Sequence, residues 1–259
     1  MYGEIIRKLD WIEKENGIDI LYACESGSRA WGFDNPESDW DVRFIFKRNN
    51  IRDYLKLEDK NDVIEYVGDE LDIVGWDIKK ALYLHHNNNP NLREWILSPI
   101  KYIDFKEDIF RDLPDFDKAI LKYHYTNIAK NNWKKLGHDD VKLTKRVIKM
   151  FLYNIRCILI WLIIDEGGNP PINIFELLDE VNLDENLKEN INSLIDYYKN
   201  NCQKDINLEV IDNIKEWMEF NLKIMRRDFP KKEDKGEFDI YDERFFNIVL
   251  PNFDEYYLK

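Results

Sequence analysis

Two carboxylates, Asp39 and Asp41, stand two residues apart and shortly after a glycine–serine pair, Gly27-Ser28. Around them Trp40, Val42, Phe44 and Phe46 alternate with Asp39, Asp41, Arg43 and Ile45. Strand side chains point to opposite faces in turn, so this alternation predicts a strand with the apolar set on one face and both carboxylates on the other. Carboxylates side by side repel each other, and a cation between them relieves the repulsion. A hard divalent ion is the simplest such partner: Mg²⁺, with Mn²⁺ as its substitute. Upstream, a glycine lets the backbone approach an anion closely, amides at a following helix start hold phosphate oxygens, and Ser28 adds a hydroxyl. A phosphate cradle followed by Asp-x-Asp is a layout for transferring phosphate groups. A solvated strand face would show the same alternation, and Ser28 would serve equally well as a helix cap.

The elements that position these residues can be read on either side. Tyr2 to Glu15 has apolar residues at helical spacing and ends at Gly17. The run Ile18 to Ala23 reads as a buried strand, and Asn35-Pro36 as a turn between the glycines and the carboxylates. Ile51 to Leu57 suits a short helix; Asp62–Val67 and Glu70–Val74 suit a hairpin about Gly68-Asp69. Ile78–His86 and Asn91–Leu97 read as helices, followed by a turn into Ile100–Ile103. Beyond that the pattern is helical, with main segments at 117–136, 141–165, 185–200 and 210–227, and the loop signal Gly167-Gly168-Asn169-Pro170-Pro171 among them. The tail from Lys231 ends rich in aromatics, which predicts docking on the body rather than disorder. The expected organisation is a catalytic domain over 1–110, a helical domain over 111–230 and a docking tail over 231–259.

The fuller string carries a resemblance. Gly27-Ser28, a spacer and Asp39-x-Asp41 resemble the signature of the DNA polymerase β superfamily of nucleotidyltransferases. Gly-Ser-Arg-Ala-x-Gly at Gly27 to Gly32 and Ser-Asp-x-Asp at Ser38 to Asp41 are similar to its branch of predicted nucleotidyltransferases associated with RNA repair. So are Val74 to Asp77, Asn89-Pro90, Glu94-Trp95 and a Lys-x-x-x-Tyr-x-x-Arg helix at Lys149, Tyr153 and Arg156. The resemblance implies an α+β fold: a short mixed sheet flanked by helices, then a helical domain. It implies transfer of a nucleoside monophosphate from a nucleoside triphosphate to an acceptor hydroxyl, with Asp39 and Asp41 as metal ligands and a third carboxylate on an adjacent strand. Asp72, between Leu71 and Ile73, is the choice for that third ligand; its rival Asp77 is well placed to favour a helix N-terminus. Gly27 and Ser28 would hold phosphates, with Arg29 and Ser38 nearby in the motif. Lys149, Tyr153 and Arg156 share one helix face and would line the far wall of a cleft between the domains. A solvated helix face with Tyr153 in the core is the competing reading.

Composition narrows the partners. With 38 Lys+Arg against 51 Asp+Glu the chain carries a formal charge of −13, which disfavours non-specific coating of nucleic acid. The acceptor is left open between an RNA end, a protein and a small molecule. The longest apolar run, 151–164, is interrupted by Asn154 and Arg156 and reads as a buried helix, not a membrane span. The polar N-terminus and three scattered cysteines point to a cytoplasmic protein without disulfides. His85 and His86, lacking ligands at metal spacing, are explained by a helix C-terminus. No Walker A, dinucleotide-binding or His-Glu-x-x-His motif is present.

Overall fold

The computed structural model describes residues 1–57, 61–68, 70–136, 143–202, 206–225 and 238–250. Helix α1 (Tyr2–Asn16) turns Ile5, Leu9 and Ile12 inward and is closed by Gly17 at φ 62°. Such a left-handed cap is cheap only for glycine. β1 (Ile18–Glu25) runs two residues past the expected Ala23, and a single helical turn, α2 (Gly27–Trp31), follows it. β2 (Trp40–Arg48), β3 (Val63–Val67) and β4 (Leu71–Asp77) come next, and the short helix expected over 51–57 is a 3₁₀ turn at Ile51–Tyr54. Gly68 donates its N–H to the Leu71 carbonyl at 2.8 Å between β3 and β4, whereas Asp69 lies outside the described residues. Helices α3 (Ile78–His86) and α4 (Pro90–Ile96) and the short β5 (Lys101–Ile103) follow; Pro90 opens α4 behind an Asn89 cap.

The sheet has the order β3-β4-β2-β1-β5, and β2 and β4 are parallel while the other pairs are antiparallel. It is the short mixed sheet expected of an α+β polymerase β-like fold. On one face α1 packs against Val42, Phe44, Phe46, Ile73 and Tyr102. On the other, α3 and α4 cover Cys24, Ile45, Val74 and Trp76, with Trp76 stacked on Trp95 at 3.7 Å. The alternation read from 39–46 therefore holds: the aromatic side of β2 faces α1. Gly75 in β4 pairs with Phe44, and a Cβ there would lie 2.1 Å from the Phe44 ring, so this position requires glycine for close approach.

The chain forms two compact units. The first holds residues 1–27, 39–116 and, from the tail, α10 (Asp239–Val249), whose Tyr241 and Ile248 are buried in the cluster over the sheet. Within it α3, α10 and the 3₁₀ turn border an open cavity of about 880 Å³ lined by Tyr54, Asp77, Tyr83, Tyr241 and Phe245 among others.

The second unit holds residues 28–38 with α5 (Lys118–Leu136), α6 (Lys145–Asp165), α7 (Ile174–Glu180), α8 (Glu185–Lys199) and α9 (Leu208–Ile224). α7 is a helix to which the sequence pattern assigned no element; Asn173 caps it and Ile174, Leu177 and Leu178 bury it. α6 is longer than the 151–164 run. By length and composition it could cross a membrane, yet 72% of its apolar window is buried inside the fold.

His85 and His86 are buried rather than displayed at a helix end. His85 stacks on Phe110 at 5.1 Å, its Nδ1 lies 3.1 Å from the Tyr241 hydroxyl, and burial pulls its pKa down to about 4. Burial thus outweighs the helix C-terminus, which would favour the charged ring. The unfolded chain binds this proton below about pH 6.5 and the folded chain only near pH 4, so stability falls as pH drops through that window. Denaturant unfolding should show up to about 3 kcal/mol lost between these limits, and His85→Gln should flatten that slope relative to the native chain.

Candidate active site

The parallel register of β2 and β4 sets Asp41 directly beside Asp72. Between them lies Arg43, two residues along β2 and so on the same face as Asp41. One guanidinium nitrogen donates to Asp41 Oδ1 at 3.1 Å and to Asp72 Oδ2 at 2.8 Å. The other donates to the carbonyls of Asp72 and Val42, both at 3.0 Å. The three side chains are 28%, 36% and 16% exposed for Asp41, Asp72 and Arg43, so the site opens to solvent while the guanidinium stays largely covered. Arg43 thus sets a positive charge between Asp41 and Asp72. Asp39 is exposed and precedes the first residue of β2. Arg43 was visible in the alternation, on the carboxylate face, but alternation does not report which groups meet across strands.

Gly27 sits against the other side of Asp41. At φ 63° its absent Cβ would lie 2.1 Å from Asp41 Oδ2, so any side chain would displace that carboxylate. Ser26 donates its N–H to the Asp41 carbonyl at 2.8 Å. Glu25, which sequence reading passed over, is fully buried and accepts the Asp41 N–H at 2.9 Å. An acidic residue ending an apolar strand just before the Gly-Ser turn was the signal available.

The remaining site candidates belong to the second unit. Ser28 is buried, and its carbonyl accepts the Phe33 N–H at 3.1 Å. Arg29 pairs with Asp34 at 3.3 Å and donates to the Ser38 carbonyl at 2.7 Å, closing the 28–38 loop on itself. Ser38 Oγ accepts the Asn35 N–H at 3.0 Å, fixing the turn. Tyr153 packs edge-on to Trp31 and Phe33, and Arg156, buried, lies 4.4 Å over the Trp31 ring with its Nε donating to the Ile172 carbonyl at 3.0 Å. Both therefore support the loop. Lys149, half-buried, has its Nζ 5.8 Å from the Tyr153 ring centre. Upstream, Lys145 bonds to Glu37 at 2.6 Å, and Lys142 lies outside the described residues.

Asp77 has another task. Its Oδ1 accepts the Lys79 N–H at 2.9 Å, capping α3, and its Oδ2 meets Tyr54 and Arg48 at 3.2 and 3.4 Å. Burial raises its pKa against these partners. It lines the cavity at the far end of β4, a cavity that Asp39, Asp41 and Asp72 do not line. For a metal ion, the donor chemistry of Asp41 and Asp72 suits a hard divalent cation, being partly exposed carboxylate oxygens, those of Asp41 lying against Gly27. Among the described residues, however, no three His, Cys, Asp or Glu side chains are gathered into one coordination set.

Comparison with known proteins settles the family. The model of the RNA repair pathway DNA polymerase beta family matches residues 1–247. The chain belongs to that family. It is also 36% identical over 226 residues, covering 85% of this chain and 84% of its relative, to the uncharacterized protein YcgL of Bacillus subtilis (strain 168). The match spans both the carboxylate-bearing sheet and the helical unit.

Gly27→Ala should cost roughly 1–3 kcal/mol in denaturant unfolding and displace Asp41, abolishing any Mn²⁺ binding seen by water-proton relaxation. Gly17→Ala is the control: it has nearly the same φ, 62°, with nothing within 4 Å of the added Cβ. It should lose stability alone.

Proposed function

We propose that this protein is a metal-dependent nucleotidyltransferase that moves a nucleoside monophosphate from a nucleoside triphosphate onto an acceptor hydroxyl. The observation that carries the reading is the side-by-side placement of Asp41 and Asp72 with Gly27 against Asp41, in a chain of the polymerase beta family. In the reaction the acceptor oxygen forms a bond to the α-phosphorus, the bond from that phosphorus to the bridging oxygen breaks, and pyrophosphate leaves. The hydroxyl proton passes to a neighbouring carboxylate or to water. Asp41 and Asp72, with Asp39 at the strand entrance, would hold Mg²⁺ or Mn²⁺, which supplies charge stabilisation at the phosphate and a lower pKa for the acceptor hydroxyl.

The other residues have distinct parts in this reading. Gly27 gives phosphate oxygens room to approach the main chain, and Ser28 adds its hydroxyl. Arg29 and Ser38 hold the loop that follows. In the helical unit Lys149 is the cation assigned to phosphate, with Tyr153 and Arg156 acting through Trp31 and Phe33. Arg43 gives the two carboxylates a counter-charge and must yield part of it when a metal binds.

An RNA end is the acceptor that the family's repair context favours. The charge of −13 means that such an end would be held by local contacts, not by a general attraction to nucleic acid. A nucleotide-binding module without turnover is the second reading, and the Arg43 pairing is what favours it, because a guanidinium already neutralises part of the site.

One assay separates these readings. The protein is incubated with Mg²⁺ or Mn²⁺ and each α-labelled nucleoside triphosphate in a cell extract, beside an Asp39→Ala/Asp41→Ala variant. Label sensitive to ribonuclease is the expected result. Label sensitive to protease would move the acceptor to a protein, and label resistant to both would move it to a small molecule. No label above the variant with any nucleotide or metal would leave the binding module.

A further inference from the structure

Glu25 ends β1 with its side chain fully buried. A carboxylate tolerates that only when its oxygens are well bonded. Here Oε1 accepts the Asp41 N–H at 2.9 Å and Oε2 accepts the Tyr102 hydroxyl at 2.5 Å. Its main chain is fixed as well: the Glu25 N–H donates to the Ile100 carbonyl at 2.9 Å, and the Glu25 carbonyl accepts Ser98 Oγ at 2.6 Å. The β1–β2 pairing ends at Glu25 opposite Val42, so the carboxylate continues the hydrogen bonding by one residue, onto Asp41. Tyr102 belongs to the cluster on the α1 face, whereas the Asp41 carboxylate meets Arg43 on the opposite face. The main chain of Asp41 is thus gripped from beneath while its side chain emerges above.

We propose that Glu25 is a positioning residue for this site: with Tyr102 it fixes the main chain of Asp41. Through the bond from Ser26 to the Asp41 carbonyl, it also fixes the turn that presents Gly27. The proposal rests on Asp41 being a metal ligand, and its test keeps the two apart. Hydrogen exchange at the Asp41 and Phe44 amides and Mn²⁺ binding by water-proton relaxation are measured for the full chain and for Glu25→Gln, Glu25→Ala, Tyr102→Phe and Asp41→Ala.

Glu25→Ala should speed exchange at Asp41 by about tenfold, leave Phe44 near its native rate and weaken Mn²⁺ binding by about tenfold. Glu25→Gln should restore both, because its amide oxygen accepts the same N–H. Tyr102→Phe should speed Asp41 exchange by roughly threefold, by releasing one oxygen of the Glu25 carboxylate. Unchanged Asp41 exchange in Glu25→Ala overturns the proposal, as does a Glu25→Gln protein as impaired as the alanine. Should Glu25→Ala fail to fold, Glu25→Gln and Tyr102→Phe decide it, and native exchange in Tyr102→Phe counts against it. Equal Mn²⁺ binding by the native chain and Asp41→Ala would sink the metal reading by itself. The exchange data would then still tell whether Glu25 holds Asp41.

Discussion

The parallel pairing of β2 with β4 is the constraint on which the candidate site depends. Parallel strands cannot be joined by a tight turn, so the chain leaves β2, passes through the 3₁₀ turn and β3, and returns along β4. A slip of one residue would turn Asp72 to the other face and part it from Asp41. Packing forbids the slip: Phe44 lies across Gly75, its partner in the register, and no other residue of β4 offers that space. A glycine in the interior of a strand, ordinarily a weak point, here sets the position of two carboxylates three residues away.

Much of this was legible in the sequence, and the reasons are local. Alternation in 39–46 reported the faces of β2 correctly because one face of that strand is buried against α1 and the other carries Asp41 and Arg43. The Gly17 stop and the Asp77 cap are chemical signals read within a few residues, and each marks an element boundary, whereas the helix read from Asn91 starts one residue earlier, at Pro90 behind its Asn89 cap. β4 was harder. Gly75 and Trp76 break its alternation, and only the cross-strand partner Phe44 explains why the strand continues to Asp77.

What alternation and spacing could not convey is who meets whom. The sequence presents Asp39 and Asp41 as a pair that a cation would relieve; it does not show that Arg43, itself on β2, reaches across to Asp72. Likewise Lys149, Tyr153 and Arg156 share a helix face as their spacing requires, but the spacing does not show that Arg156 lies over Trp31 and donates to the Ile172 carbonyl. Buried groups such as Glu25 and His85 are the least legible, because a polar residue looks like a surface residue until its partners are known.

The first unit is not one continuous piece of chain. Its sheet is complete by Ile103, but the cluster on one face of that sheet includes Tyr241 and Ile248 of α10. During synthesis the ribosome therefore releases the sheet well before the helix that finishes its covering. Until α10 emerges, Ile45, Val74 and Trp76 are covered by α3, α4 and Ile109, without Tyr241 and Ile248. A nascent chain in that interval displays surface that attracts chaperones and other unfinished chains. A premature stop anywhere upstream of α10 therefore does more than remove a tail: it leaves the sheet-bearing unit without part of its interior.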